Sequence, residues 1–590
     1  MMRALNKSLR LPAVLTILAA TFAVYWPSLQ NQFVWDDTAL ILRDPFIRSW
    51  RLIPQGIGHF LFTDATPSDF YRPIQRLVYT LDYALFAFHP WGYHLTNILV
   101  HAAAAVMLFF FVEQLIARTA PSDLAKNGFI PWAVALAWAV HPVHSEAVMY
   151  IASLADLLVA LFWFAGLYFG LLSLKKGLRP VAWAAGFCFL CAALSKESGL
   201  AVIAVWLAML LCLHEFKSAG RWLLIGAGIV GVWCALRFTA EHIPPPVLSA
   251  PSTLAERPAL VMRAADAYAG LLIAPVDLHM ERDVPAGMLP LLLGGAVIVA
   301  FAFWTLRAYR HLFAAFIFLV AFLIAYAPMS NIFSLNAHVA EHWLYFSSAF
   351  LFAAEALSLA SVRVPRVALI AAYGCWLVFL GARTFLRNHD WKDQRTFVET
   401  TIVTGGDTAR MWVNLGQLDA EEAARLQDPA KLKIAIADYQ KALEKRPGLP
   451  FAVLGLATTE TLAGDFDNAL KHMQQVEVIP FLRAQALTDR AALEARQTGT
   501  TDLPLLLKAA TLDPDNWDVQ KIYIKKLAES GNIDGAVAAA RAVVEKQPWR
   551  ARSWKVMTRL LMAAGRKDLA VHAYEEAQDC DVHLNMANDD

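Results

Sequence analysis

Six short segments place acidic, basic or histidine side chains at the edges of long apolar runs. In chain order they read FVWDD, FYRPIQR, HPWGYHLTNILVH, HPVHSEAV, LSKESG and AEHWLYFSS. Their candidate site residues are Asp36, Asp37, Arg72, His94, His101, His141, His144, Glu146, Lys196, Glu197, Glu341 and His342. Ionisable groups near membrane depth are costly to bury, so a set of such segments is typical of a functional site.

These residue types fit one class of chemistry. A carboxylate at a membrane interface can act as a general base toward an acceptor hydroxyl, while Arg and Lys side chains neutralise a leaving phosphate. An apolar groove between helices would hold a lipid tail. The set therefore indicates a membrane enzyme with a lipid-linked phosphate substrate.

A metal site is the alternative for the histidines. His141, His144 and Glu146 are ligand types, but HxxHxE between two apolar runs is not a zinc spacing. We therefore predict no metal ligand, and the sequence leaves open whether a divalent cation takes part.

The composition requires a membrane environment. Of 590 residues, 58% are hydrophobic and 17% charged, with a mean hydropathy of +0.44. The net charge of +1, from 51 basic and 50 acidic residues, leaves no broad basic face for nucleic acid. Five of the six cysteines lie in apolar stretches, where they act as small hydrophobic residues rather than as a disulfide framework.

Apolar runs near the ~20 residues that cross a bilayer predict an all-α, polytopic helix bundle of about eleven spans. We place them at 11–29, 92–116, 130–150, 154–174, 180–195, 198–214, 220–238, 287–307, 310–328, 343–361 and 366–384. A weaker segment at 259–276 contains Arg263 and Asp266, which favours an amphipathic or re-entrant helix.

The distribution of basic residues predicts the orientation. Alternate short loops carry Arg118, Lys175, Lys217 and Arg307, and the N-terminus carries Arg10, so these are predicted to be cytoplasmic. The loops 27–91 and 239–286, and with them all six polar segments, are then external. An odd number of spans places the C-terminal region outside as well.

The C-terminal region has a repeat. Pro447, Pro480, Pro514 and Pro548 are separated by 33, 34 and 34 residues, and AIADYQKALEKRPG fits the second helix of a tetratricopeptide repeat. Four to five such repeats would stack into an α-solenoid with a concave surface for a protein or peptide. We divide the chain into a membrane domain (1–387), a linker (388–407) and a repeat domain (408–590).

The motifs WDD, YRP, HLTNILVH, HPVHSEAV with ADLL, SKES and AEHWLYFSS, followed by the repeats, resemble the transmembrane and tetratricopeptide-repeat O-mannosyltransferase family and its bacterial relatives. That family belongs to the C-type (GT-C) glycosyltransferases. The resemblance implies a GT-C-like membrane domain, a polyprenyl-phosphate sugar donor, and transfer with inversion to Ser or Thr hydroxyls on the extracytoplasmic side. No other cofactor is implied.

The resemblance also implies roles for single residues. The acidic pair Asp36 and Asp37 would supply the catalytic base, Arg72 and Lys196 would face the donor phosphate, and Glu341 matches the acid before the tenth span. Two positions depart from the family pattern. Leu154 and His342 stand where the family has Arg, and a protonated His342 would replace one lost cation.

Two further hypotheses remain open from the sequence. One is a non-catalytic membrane scaffold that uses the repeats to assemble extracytoplasmic proteins. The other is a transporter or flippase, which would carry charges near the bilayer midplane rather than at one face. For the enzyme, we predict a bacterial inner-membrane location with the repeats in the periplasm.

Overall fold

The computed structural model describes residues 7–125, 128–175, 179–246, 252–333, 335, 337–362 and 364–586. The start of the predicted membrane domain, 1–6, and the end of the predicted repeat domain, 587–590, therefore lie outside the described residues. Helices dominate this part of the chain, and it contains only isolated β-bridges in place of strands. The predicted all-α class is confirmed.

The helices of the first 387 residues follow the apolar runs. They are α1 (Lys7–Tyr25), α2 (Ile53–Ile57), α3 (Pro73–Phe86), α4 (Pro90–Thr119), α5 (Ser122–Ala125), α6 (Phe129–Val140), α7 (Ser145–Met149), α8 (Leu154–Ser173), α9 (Arg179–Ser195), α10 (Ala201–Cys212), α11 (Phe216–Thr239), α12 (Arg257–Ile273), α13 (Met288–His311), α14 (Phe313–Tyr326), α15 (Ser348–Ala360) and α16 (Arg366–Arg387).

A helix stands at every one of the eleven predicted runs. Among the described residues, six helical segments are long and apolar enough to cross a membrane: Arg10–Gln30, Pro90–Thr119, Ile151–Ser173, Phe216–Thr239, Met288–His311 and Arg366–Trp391. The other five runs form the shorter apolar helices α6, α9, α10, α14 and α15. The chain is a multi-pass membrane protein.

Small residues let the apolar helices approach closely. A Cβ atom on Gly166 of α8 would lie 2.5 Å from the Phe189 ring of α9, and one on Gly170 would lie 2.9 Å from Trp206 of α10. Such contacts are typical of helix packing in membranes, where van der Waals fit replaces the hydrophobic effect.

The segment predicted as an amphipathic or re-entrant helix forms α12. It packs on α13, because Gly294 brings the two backbones together: a Cβ atom there would lie 1.7 Å from the Met262 carbonyl oxygen. Ala264 and Tyr268 are buried, whereas Ile273 is exposed, so α12 has two distinct faces.

The 27–91 loop is folded rather than extended. Short helical turns at Trp26–Gln30, Pro45–Ile47 and Trp50–Leu52 and a π-helical turn at Thr38–Arg43 precede α2 and α3. The Arg76 guanidinium of α3 fixes them, since its Nε lies 3.0 Å from Asp44 Oδ2 and its other nitrogens donate to backbone carbonyls of the loop. Both side chains are buried, which makes this pair a rigid attachment.

The C-terminal region is a helical solenoid. Its helices are α17 (Gln394–Val403), α18 (Ala409–Leu426), α19 (Pro429–Lys445), α20 (Pro450–Ala463), α21 (Phe466–Glu477), α22 (Arg483–Thr498), α23 (Leu503–Leu512), α24 (Trp517–Glu529), α25 (Ile533–Lys546), α26 (Ala551–Ala563) and α27 (Lys567–Cys580). From α18 onward they form five consecutive pairs, as the repeat period predicts. The interval predicted as a linker contains α17.

The repeat signature has a direct structural basis. Gly464, Gly531 and Gly565 follow the first helices of their pairs with φ between +73° and +83°, which favours glycine as a helix C-cap. Ala469 and Ala536, five residues after Gly464 and Gly531, are fully buried between neighbouring helices.

The solenoid is attached to the 27–91 loop near its C-terminal helices. Arg550, just before α26, pairs with Asp64 through two nitrogens, with Nη2 2.6 Å from Oδ1. The Tyr83 hydroxyl donates to Asp581 at 2.7 Å, and the Val582 backbone N–H donates to the Arg48 carbonyl at 3.1 Å. These contacts hold the solenoid against the predicted external face.

Candidate functional site

The two adjacent aspartates have different environments. Asp37 is fully buried, and both of its carboxylate oxygens accept backbone hydrogen bonds, from Val34 N–H at 3.0 Å and Ala152 N–H at 2.8 Å. Burial holds the pKa of Asp37 well above its usual range in spite of these bonds. Asp37 therefore ties the 27–91 loop to the turn before α8.

Asp36 is partly exposed, and its backbone N–H donates to the Tyr150 hydroxyl at 3.2 Å. Burial raises the pKa of its carboxyl group, while Arg410, Tyr150 and Arg72 act in the opposite direction. Of the two residues, Asp36 is the one that has surface exposed to solvent.

Arg72 lies between Asp36 and the LSKESG turn. Its Nε is 3.5 Å from Glu197 Oε2, its guanidinium lies 4.3 Å from the centre of the Phe70 ring, and it interacts electrostatically with Asp36 and Lys196. The Nε is buried and makes no hydrogen bond within the described part of the chain. The contact between Arg72 and Glu197 is thus an ion pair rather than a close hydrogen bond.

Lys196 has its charge partner already. Its Nζ lies 2.7 and 2.8 Å from the two oxygens of Asp156, the acid of the ADLL motif at the start of α8. Both side chains are buried. We call Asp36, Arg72, Asp156, Lys196 and Glu197 the Asp36 cluster.

A second group forms around Glu341. His342 Nδ1 lies 2.7 Å from Glu146 Oε1, and the His342 backbone N–H donates to Glu146 Oε2. Glu341 Oε1 accepts a 2.7 Å hydrogen bond from the His279 backbone N–H and lies 3.9 Å from Arg282. Burial raises the pKa of Glu341 to about 8. We call Glu146, His342, Glu341, Arg282 and Arg387 the Glu341 cluster.

The histidines of α4 and of the HPVHSEAV segment lie in the packed core. His101 contacts the Tyr345 hydroxyl at 2.6 Å and the Ala139 carbonyl, while His144 contacts Ser348 and the Trp138 carbonyl. His141 reaches the Leu272 carbonyl at 3.1 Å. His94 is buried beside the backbone of Asn31 and Gln32. The ring nitrogens of His101, His141 and His144 thus join packed segments, while those of His94 make no hydrogen bond within the described residues.

The described residues contain no group of three or more His, Cys, Asp or Glu side chains placed to hold a metal ion. In the HPVHSEAV segment, the ring nitrogens of His141 and His144 contact carbonyl, backbone N–H and hydroxyl groups instead. Glu146 faces His342.

The turn at 277–283 joins the two clusters. Arg282 faces Glu341, while its neighbour Glu281 lies 2.9 Å from Arg410 of α18 and interacts electrostatically with Asp36. The two clusters are therefore neighbours on one face of the helix bundle.

Sequence reasoning missed the cations Arg282, Arg387 and Arg410. Arg387 opens the polar stretch RNHD just after the last predicted span, so its position was a usable signal. Arg410 gives no such signal, because it lies within an ordinary repeat helix and reaches the site only through tertiary structure.

Comparison with known proteins gives protein O-mannosyl-transferases among the relatives. No family model matches the sequence. Protein O-mannosyl-transferase F38B6.6 of Caenorhabditis elegans is 24% identical over 466 residues, which are 74% of this chain and 63% of the worm protein. TMTC1 of Mus musculus, named a protein O-mannosyl-transferase, is 29% identical over 210 residues, or 33% of this chain and 21% of the mouse protein.

The chain is similar to protein O-mannosyl-transferases. The resemblance indicated by the ordered motifs is thereby confirmed. The chain spans less than two thirds of the length of these protein O-mannosyl-transferases. Among solved structures, ArnT from Cupriavidus metallidurans in the apo state aligns with 80% of this chain and 79% of that chain, at 16% identity and a TM-score of 0.38.

Proposed function

We propose that the protein is an inverting membrane glycosyltransferase. It moves a sugar from a polyprenyl-phosphate donor to a protein Ser or Thr hydroxyl on the extracytoplasmic face, in a bacterial inner membrane with the repeats in the periplasm. The observation that carries the proposal is the partly exposed Asp36 beside Arg72, at the edge of a bundle of apolar helices.

Asp36 is the proposed general base. It takes the proton of the acceptor hydroxyl as that oxygen attacks the anomeric carbon from the side opposite the phosphate, which inverts the configuration. The bond from the sugar to the phosphate breaks, and its electron pair leaves with the phosphate. Asp37 is the less suitable base, because both of its oxygens are bound to backbone N–H groups.

Arg72 is the proposed ligand of the donor phosphate. Its acidic partner Glu197 is 3.5 Å away, farther than Asp156 is from Lys196, and Arg recognises phosphate through parallel N–H donors. Lys196 is held by Asp156, so we assign it to the electrostatic field of the site rather than to direct contact. His342 has Glu146 as its partner and takes the same indirect role.

The repeats are proposed to hold the acceptor protein. A solenoid attached beside the Asp36 cluster raises the local concentration of a bound acceptor, which lowers the acceptor concentration needed for transfer. The division into a membrane domain and a repeat domain at 387 and 408 remains part of this proposal.

The experiment is intact-mass analysis of extracytoplasmic proteins from cells that carry the wild type or Asp36→Asn. We expect loss of a hexose-sized or larger increment, since a general base contributes roughly 10²- to 10⁴-fold in rate. Asp69→Asn is the matched control, because Asp69 is an exposed acid of the same loop that pairs with His242. A modified protein that persists in the Asp36→Asn cells, at equal membrane levels, rejects the assigned base.

The scaffold hypothesis is favoured by one observation, the five helix pairs attached to the 27–91 loop. It predicts that Asp36→Asn leaves function intact while deletion of 408–590 abolishes it. The same two variants therefore separate the two functions.

A further inference from the structure

Arg410 is the first basic residue of the repeat helices, and it reaches the Asp36 cluster. Its guanidinium carbon lies 4.5 Å from the centre of the Trp35 ring, directly before Asp36 in the chain. Its Nη1 lies 2.9 Å from Glu281 Oε1. The ring and the carboxylate hold the cation from two sides.

The backbone around Asp36 is attached to the same part of the chain. The Trp35 N–H donates to the Gln394 side-chain oxygen at 2.6 Å, and the Gln32 N–H donates to the Lys392 carbonyl at 2.8 Å. Lys392 lies just before α17 and Gln394 is the first residue of that helix, which packs on α18. The position of Arg410 relative to Asp36 is therefore set by hydrogen bonds as well as by its own contacts.

We infer that Arg410 is a positioning residue of the transfer reaction, supplied by the first repeat helix to keep the Asp36 carboxylate ionised and in place. The inference rests on the proposed function. It makes the site a composite of the helix bundle and the repeats, so the repeats contribute to turnover and not to acceptor binding alone.

The charged and titratable groups that face Asp36 come from several elements. They are Arg72 before α3, Asp37 beside it, Tyr150 before α8, Glu281 in the 277–283 turn and Arg410 on α18. Arg410 is the largest influence opposing burial on the pKa of Asp36. Because Asp36 must be ionised to accept a proton, loss of Arg410 raises its pKa and moves the acidic limb of the rate profile to higher pH.

An ordinary exposed ion pair would contribute little. The Arg410 side chain is 59% exposed, but Glu281 is only 21% exposed and burial raises the pKa of Glu281. The pair is thus partly removed from water on the side that faces Asp36, where electrostatic interactions are screened less.

The test is the pH dependence of transfer by the full-length protein, with polyprenyl-phosphate mannose as donor and the acceptor found by intact mass. For Arg410→Ala we expect the acidic limb of the rate profile to move to higher pH by roughly half a pH unit or more. The transfer rate at the acidic end should then fall about threefold, while the rate at high pH should equal that of the wild type. Arg410→Lys should restore the limb. Arg425→Ala, on the same helix, is the matched control and should not move it.

Two results overturn the inference. One is an unmoved limb in Arg410→Ala, and the other is an equal loss at every pH, which indicates a merely structural role. Activity retained in Asp36→Asn instead rejects the base in the proposed function. If the Asp36→Asn variant is inactive and the pH profile of Arg410→Ala is unmoved, the role of Arg410 is rejected while the proposed function stands.

Discussion

At the scale of single residues, neighbours of the same type have separate tasks. Asp36 and Asp37 are indistinguishable in the sequence. It identifies the pair as candidate bases but does not show how the two residues differ. The difference arises because the Ala152 N–H, 115 residues away, occupies one oxygen of Asp37. Such a long-range hydrogen bond leaves no local pattern, so sequence reasoning had to leave both residues open.

The histidines show the opposite limit. His94, His101, His141 and His144 were candidates because histidine is rare in apolar helices. In the structure the partners of His101, His141 and His144 include backbone carbonyls, Tyr345 and Ser348, whereas His94 is buried with both ring nitrogens unbonded within the described part of the chain. A polar stripe on a helix therefore indicates a contact between helices as readily as a functional site. The two cases differ in the tertiary partner of the stripe, which the sequence does not identify.

Glu341→Gln should change the pH dependence of stability. Burial raises the pKa of Glu341 from its ordinary 4.5 to about 8, so the folded protein keeps a proton that the unfolded chain releases. The stabilisation from Glu341 is complete below about pH 4.5 and is lost as the pH rises through about 8. Glutamine mimics the protonated acid and removes this loss.

Thermal unfolding in detergent between pH 5 and 9 measures the effect. The wild type should lose stability across this range relative to Glu341→Gln. Glu256→Gln, an exposed acid before α12, serves as the control. Parallel curves for the wild type and Glu341→Gln would contradict the raised pKa.

At the scale of elements, regular helices were predictable and irregular turns were not. Every apolar run became a helix, because a backbone in hydrocarbon must satisfy its own hydrogen bonds. The π-helical turn at Thr38–Arg43 and helix α17 were missed, since both are short and mix polar with apolar residues. These irregular elements position Asp36, so the site was less predictable than the bundle.

Gly294→Ala should separate α12 from α13. The added methyl group would meet the Met262 carbonyl oxygen at 1.7 Å, so the helices must move apart. We expect a loss of about 1–3 kcal/mol, typical of overpacking. Gly228→Ala on α11 is the control, because nothing lies within 4 Å of its Cβ position. Thermal unfolding of both variants in one detergent measures the difference, and equal stabilities would argue against the close approach.

At the scale of the whole molecule, the attachment of the solenoid was beyond sequence analysis. Arg550 and Asp64 are separated by 486 residues, and each lies in a segment with an ordinary composition. The repeat period predicted the helix pairs correctly because each unit contacts only its neighbours. It contains no information about a surface outside the solenoid.

Arg550→Ala should release the solenoid from the 27–91 loop. The Asp64 side chain is only 6% exposed and would keep a buried charge without its partner, at a cost of about 3–5 kcal/mol. Hydrogen exchange of residues 43–64 should increase. Arg566→Ala removes an exposed pair with Asp534 and should change exchange little. Unchanged protection of 43–64 in Arg550→Ala would show that this pair does not hold the solenoid.

Attachment near both ends constrains how the repeats can evolve. A free solenoid tolerates the gain or loss of a unit, because only nearest neighbours are affected. Here α18 is held by Trp35 and Glu281, and the segment before α26 by Asp64. An inserted or deleted pair would shift all the helices beyond it and break one attachment. The two attachments thus fix the length of the solenoid between them and permit only one number of repeats.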